Sequence, residues 1–189
     1  MNPEIELDHI IPRLCSLTTS CTDRATRISA CELLHALVLF KLGNDKIKAD
    51  EDLWRNLCVI MINLGSDDDL TIRQMFEPLL MQIMHYFSQP SKILTPLTPV
   101  IFECLLVSIS HPKNCNIRDL AARLLREFLI WLFKQTTPQE REASPVKLVD
   151  LFHDLKKMSI NIDQSKRIGA ALAFNNIYRF VHEIYHDFR

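Results

Sequence analysis

Cys104, His111 and Cys115 are the nearest approach to a metal-ligand cluster in this sequence. Structural zinc takes four ligands, commonly as C-x₂₋₄-C and H-x₃₋₅-H pairs. Cys104 falls inside a helical stretch and a fourth ligand is missing, so the trio reads as a buried thiol and a turn histidine. Asp67-Asp68-Asp69 forms an acidic turn without the glycine and distal glutamate of a calcium-binding EF-hand loop. Asp69 reads as a helix N-cap whose neighbours favour the helix dipole. His153 and Asp154 are adjacent on a helix, so they point in different directions, and no serine or cysteine nucleophile is placed with them. Gly-rich phosphate loops, G-x-x-x-x-G-K-[ST], H-R-D and D-F-G are all absent. Catalysis by this chain is not expected, and no residue is assigned a catalytic, cofactor-binding or metal-binding role.

Basic side chains offer a different chemistry. Lys113, Arg118, Arg123 and Arg126 form the most basic stretch, and Lys156, Lys157, Lys166 and Arg167 surround a later turn. Joined along one edge, they would make a strip able to take phosphates without regard to sequence and in a salt-sensitive way. Asp119, Glu127 and Asp163 lie among them and would balance that charge as an ordinary solvated face.

Composition limits what can position these groups. The 189 residues suit one domain or a short array of smaller units, with enough length to bury a core. Only 3 residues are glycine, and both strand-and-turn folds and phosphate loops want glycine for positive φ. Helices joined by short polar loops are therefore favoured. With 22 basic and 23 acidic side chains the chain has no global basic field. The acidic N-terminus lacks the apolar run of a signal peptide, and no apolar run is long enough to span a bilayer. The 6 cysteines stand singly and read as reduced thiols of a cytosolic or nuclear protein.

Four arginines set a repeat. Arg27, Arg73, Arg118 and Arg167 lie 46, 45 and 49 residues apart. Four positions before each stands Asp23, Asp69, Asn114 or Asp163, all good N-caps. Six and seven positions after come Leu33-Leu34, Leu79-Leu80, Leu124-Leu125 and Ala173-Phe174, and thirteen after come Phe40, Tyr86, Trp131 and Phe180. Small residues recur at the third position as Ala30, Ala121 and Ala170, with Phe76 the exception. These offsets follow helical spacing. A preceding helix is expected over 3–17, 50–64, 95–110 and 144–159, with Thr95-Pro96 and Ser144-Pro145 as cap and first-turn proline. Each unit is thus a helical hairpin, in repeats over 3–43, 50–90, 95–135 and 144–183. Two helices in 40–47 residues is the period of HEAT or armadillo repeats. The expected fold is an all-α solenoid of four HEAT-like hairpins, an armadillo-like superhelix, cut from a longer array. The repeated arginines would bridge adjacent units through the repeated aspartates. Gly169 would let the inner helix of the third unit approach closely, and Asn175-Asn176 would lie on the exposed or concave side.

Three stretches carry a family resemblance. They are I-R-Q-M-F-E-P-L-L-M-Q-I-M-H-Y-F from Ile72 to Phe87, R-E-F-L-I-W-L-F-K-Q-T-T-P-Q from Arg126 to Gln139, and R-I-G-A-A-L-A-F-N-N-I-Y-R from Arg167 to Arg179. In this order they resemble the large helical scaffold of a phosphatidylinositol-3-kinase-related serine/threonine kinase, in a divergent animal form. The resemblance implies a nuclear protein brought to DNA double-strand breaks by the Ku heterodimer, acting in non-homologous end joining. It implies ATP and Mg in a kinase domain not contained here, and, as partners, the rest of the same chain, Ku and DNA ends, with no membrane. Kinases of this family favour Ser or Thr before Gln, which makes Ser88-Gln89 a candidate autophosphorylation site. The alternative is a HEAT adaptor unrelated to DNA repair, binding a peptide or helix on its concave face.

Overall fold

The computed structural model describes residues 10–43 and 50–187. The start of the first expected helix and the side chain of Phe180 lie outside the described residues. Ten α-helices follow one another: α1 (Ile10–Ser20), α2 (Arg24–Gly43), α3 (Glu51–Gly65), α4 (Leu70–Phe87), α5 (Pro90–Ile93), α6 (Leu97–Ile109), α7 (Cys115–Gln135), α8 (Pro138–Ala143), α9 (Leu148–Ser159) and α10 (Gln164–Asp187). The described residues contain no strand.

Four hairpins form, α1 with α2, α3 with α4, α6 with α7 and α9 with α10. They stack in two layers. The second helices α2, α4, α7 and α10 pack in sequence, while α3 packs on both α1 and α6. The fourth hairpin departs from this pattern in its first helix: α9 does not pack on α6 as α6 packs on α3, while α10 leans on both α7 and α6 just as α7 leans on α4 and α3.

Local chemistry sets the starts of the second helices. The Asp23 carboxylate accepts from Thr26 N at 2.8 Å, Asp69 from Thr71 N at 2.9 Å, Asn114 from Asn116 N at 2.9 Å and Asp163 from Ser165 N at 2.8 Å. Each satisfies an otherwise orphaned helical N–H. The expected caps at Thr95 and Ser144 are not formed. Thr95 Oγ1 donates to Lys92 O at 2.7 Å and closes α5, while α6 begins after Pro96 without a side-chain cap. Ser144 ends the short α8, is buried, and its Oγ accepts from Val146 N at 3.1 Å. A residue before proline is pushed from the helical region to the extended one, and Ser144 sits there at φ −60°, ψ 141°. Helix α9 therefore starts only at Leu148. The capping box that opens α8, Thr137 with Glu140, shows the same S/T-Pro signal used one helix earlier.

The core runs along the stack. Helix α7 is its hub, burying Ile117, Leu120, Ala121, Ala122, Leu124, Leu125, Phe128, Leu129 and Leu132 against α4, α6 and α10. Aromatic edges join layers and units, with Trp54 on Phe87 at 5.9 Å, Phe102 on Phe128 at 5.1 Å and His35 on Phe76 at 6.2 Å between centroids. Leu33 and Phe40 occupy repeat positions but are each 48% exposed. Leu79 and Leu124, the counterparts of Leu33, are buried, and Tyr86 and Trp131, the counterparts of Phe40, are half-buried, because another second helix precedes α4 and α7; no described helix precedes α2 on that side.

Gly169 packs differently from expectation. A Cβ there would sit 2.8 Å from the carbonyl carbon of Ile109 and 3.0 Å from its Cγ2. The close neighbour is thus the end of α6, not α7. Asn176 Nδ2 donates to Leu172 O of its own helix at 2.9 Å, and Asn175 is exposed.

Candidate nucleic-acid interface along the turns

The four intra-hairpin turns lie side by side along one edge. Arg24, at the start of α2, donates to Asp69 through Nε at 2.6 Å and Nη2 at 3.2 Å, and to Thr71 Oγ1 at 3.3 Å. Arg27 pairs with both Asp67 carboxylate oxygens. A cleft of about 340 Å³ joins this second turn to the start of α7, lined by Asp67, Asp69, Asn114 and Ile117 among others. At the far end Ser165 Oγ donates to Pro112 O at 3.4 Å, so the third and fourth turns adjoin.

The repeated arginines do not act as expected. Among the described residues, only Arg27 of the four bonds into a second unit. What the four share is a hydrogen bond to a main-chain carbonyl at the end of the preceding helix or in the turn behind it. Arg27 Nε donates to Thr18 O at 2.8 Å, Arg73 Nη1 to Asp67 O at 3.2 Å and Arg118 Nη1 to His111 O at 2.7 Å. Arg167 Nη1 donates to Asn161 O at 2.7 Å and Ile162 O at 2.6 Å. The last carbonyls of a helix have no intrahelical partner, and a cation there also suits the negative end of the helix dipole. The repeat signature is therefore a pair of staples within each turn: the Asp or Asn caps the second helix, and the arginine four residues later ties down the end of the first helix in the first unit and the turn that follows it in the other three.

Electrostatics along the edge change from end to end. The hydrogen bond from Arg24 holds the Asp69 carboxyl below its usual range, against the opposing effect of burial. Thr26 does the same for Asp23 through its side chain and N–H. The triple aspartate is thus largely neutralised by α2.

The basic strip is thinner than the sequence suggested. Arg123 binds Glu77 of α4 at 2.5 Å and Asp119 at 3.1 Å. Burial works against its charge, but the two carboxylates prevail and hold the guanidinium more firmly protonated. Arg118 turns inward to His111 O, and its buried Nε has no hydrogen-bond partner among the described residues. Arg167 is spent on its own turn. Arg126 is 44% exposed and lies 3.6 Å from Glu127, and Lys157 lies 3.6 Å from Asp154. Lys113 in the third turn and Lys166 at the start of α10 are exposed, and among the described residues neither has an ion-pair partner.

The remaining candidates are structural. Ser88 is fully buried, caps the end of α4 and donates to His85 O at 2.9 Å, so the folded chain does not present it to a kinase. Cys104 is buried in α6 with Sγ donating to Arg55 O at 3.6 Å. His111 Nδ1 accepts from Asn114 N at 3.0 Å inside its turn, and Cys115 is exposed. Among the described residues no three His, Cys, Asp or Glu side chains gather to hold a metal. No described helix is long and apolar enough to cross a membrane.

The family model described as DNA-dependent protein kinase catalytic subunit, CC1/2, matches residues 48–185. The chain belongs to this family. The DNA-dependent protein kinase catalytic subunit of Canis lupus familiaris is 40% identical over 187 residues, covering 95% of this chain and 4% of that protein. That of Gallus gallus is 38% identical over 187 residues, again 95% and 4%, and that of Dictyostelium discoideum 28% over 188 residues, 96% and 4%. The chain thus spans about 4% of the length of these relatives. The matched part of the DNA-dependent protein kinase catalytic subunit is the helical CC1/2 region, not its kinase domain. The resemblance seen at Ile72–Phe87, Arg126–Gln139 and Arg167–Arg179 falls inside the matched residues.

Proposed function

We propose that this chain is a scaffold segment of a DNA-dependent serine/threonine protein kinase acting in double-strand break repair by non-homologous end joining in the nucleus. The match of residues 48–185 to the CC1/2 region carries this reading. An adaptor of unrelated parentage does not fit that match. The role is mechanical: each hairpin contacts its neighbours, small rotations accumulate along the stack, and the array holds distant parts of the same chain, ATP- and Mg-using kinase domain included, in position around a DNA end and Ku.

DNA contact by this segment rests on Lys113 and Lys166, with Arg126 further along α7. Arg123 is neutralised by Glu77 and Asp119, whereas Arg118 and Arg167 keep their charge but direct their donors to turn carbonyls. Two phosphate contacts give a salt slope of about −1.8, so raising salt from about 50 to about 200 mM weakens binding about tenfold. Fluorescence anisotropy with a blunt-ended duplex measures this directly. Binding that falls about tenfold, and is lost in Lys113→Ala/Lys166→Ala, supports the DNA-facing role. No binding at the lower salt by a chain shown to be folded overturns that contact and leaves the segment a spacer between other parts of the kinase.

A further inference from the structure

Two ion pairs latch the turn of the first hairpin to that of the second. Arg24, one residue after the Asp23 cap, holds Asp69, and Arg27, four residues after it, holds Asp67. Counted from the Asp69 cap, the same two positions of the second unit are Leu70 and Arg73. Counted from the Asn114 cap, the positions that would receive them in the third unit are Asn114 and Pro112. Leucine carries no charge, and neither asparagine nor proline carries a carboxylate. At this junction the first pair is replaced by an apolar side chain and the second by an arginine whose acid is missing.

Both residues stand at the surface of the stack. Leu70 is 55% exposed. Arg73 is half-buried, donates through Nη1 to Asp67 O at 3.2 Å, and among the described residues has no carboxylate partner. It lines two clefts. One, of about 400 Å³, runs along α4 and is walled by Leu70, Gln74, Pro78 and Met81 beside Arg73 and Glu77. The other, of about 260 Å³, lies between α4 and α7, where Asn116, Asp119 and Arg123 face Arg73 and Glu77. Arg73 and Glu77 belong to both, so the clefts adjoin. The carboxylates that line them are already held, because Arg123 pairs with Glu77 and with Asp119. Among the described residues of the two clefts, Arg73 is therefore the cation without an acid, and it stands next to an apolar wall.

We propose that Leu70 and Arg73 form a docking site for an acidic–apolar segment of a protein partner. An Asp or Glu side chain of the partner pairs with Arg73 as Asp67 pairs with Arg27, and an adjoining aliphatic or aromatic side chain lies on Leu70, Pro78 and Met81. The guanidinium fork takes a carboxylate through two parallel hydrogen bonds, and at a half-buried position the pair is less weakened by water than on an open surface. The apolar cleft is of the size that holds small ligands and single side chains, on the order of 300–1,000 Å³. A nucleic-acid backbone fits this place poorly. It brings a row of charges, and one arginine flanked by Glu77 and Asp119 gives it no track, while the apolar wall has nothing to offer a phosphate. This inference is independent of DNA contact at Lys113 and Lys166.

The test selects a random displayed dodecapeptide library on the purified chain, its folding checked by circular dichroism. Enriched peptides are expected to carry an Asp or Glu close to an aliphatic or aromatic residue. Fluorescence anisotropy with the most enriched peptide should show binding weakened at least about tenfold by Arg73→Gln, the loss of a charge-assisted pair. Leu70→Ser should weaken it about fivefold, the loss of one partly covered apolar side chain. Leu70 is exposed, so this second variant keeps the test decisive if Arg73→Gln does not fold. The proposal is overturned if no peptide is enriched over a surface without the chain, or if the enriched peptides are basic or lack an acid. It is overturned equally if acidic peptides bind the folded variants as tightly as the parent.

Discussion

Replacing Gly169 by alanine should detach the fourth hairpin from the stack. The new Cβ would lie 2.8 Å from the Ile109 carbonyl carbon and 3.0 Å from Ile109 Cγ2, with the carbonyl oxygen closer still. The obstacle is main chain at the end of α6, which cannot rotate away as a side-chain tip can. Overpacking costs about 1–3 kcal/mol, and a main-chain obstacle places this case at the top of that range. Alanine recovers about 1 kcal/mol of helix propensity, leaving a loss of about 2 kcal/mol. For a chain of this size the melting temperature should fall by about 4–8 °C. Two other glycines calibrate the reasoning. At Gly65 the new Cβ crowds the methyl tips of Leu80 at 2.7 Å and Leu120 at 2.9 Å, which can turn, and meets the Glu77 main-chain nitrogen at an ordinary 3.6 Å, so the loss should be about 1 kcal/mol. At Gly43 nothing lies within 4 Å and φ is not positive, so alanine should be neutral or stabilise by up to about 0.5 kcal/mol. Thermal melts by circular dichroism rank the three variants, and amide hydrogen exchange locates the loss. Exchange in Gly169→Ala should rise in α9 and α10 and spare α1 to α4, because each unit contacts only its neighbours. A Gly169→Ala chain as stable as its parent, or one that loosens first in α1 and α2, would refute the close approach.

Arg27→Ala removes one hydrogen bond to Thr18 O and the pair to Asp67 from a half-buried site, and should cost about 1 kcal/mol, seen as a lower urea midpoint with faster exchange in the turn after α1. Acid should weaken the array through its capping carboxylates. Asp69 and Asp23 are held below the usual carboxylate range, so their stabilisation is fully present above about pH 4 and is lost as pH falls through the lowered values. Urea midpoints taken between about pH 6 and pH 3 should fall less steeply in Asp69→Asn than in the parent; identical slopes would refute the Arg24–Asp69 assignment.

Much of this protein is written locally. Asp23, Asp69, Asn114 and Asp163 each cap the helix beside them, because an N-cap needs only the next three residues. The spacing of Leu79-Leu80 and Leu124-Leu125 marks buried faces for the same reason, since helical periodicity is a property of one segment. Local signals failed where two local structures competed: Ser144-Pro145 has the letters of a helix start, yet its buried hydroxyl serves the turn after α8. Candidate function was less legible. A row of basic letters does not say which are spent, and Arg123 is paired with Glu77, 46 residues away.

The sequence alone therefore determined that the chain is a stack of capped helical hairpins, and its quoted stretches already pointed to the kinase family. Only tertiary structure decided what the repeated arginines hold, that Ser88 is hidden, that Gly169 meets α6, and that Arg123 pairs with Glu77. The physical reason is range. Caps and periodicity act within one or two helical turns, whereas charge pairing and burial depend on the rotation of one hairpin against the next, and no single segment of sequence encodes that rotation.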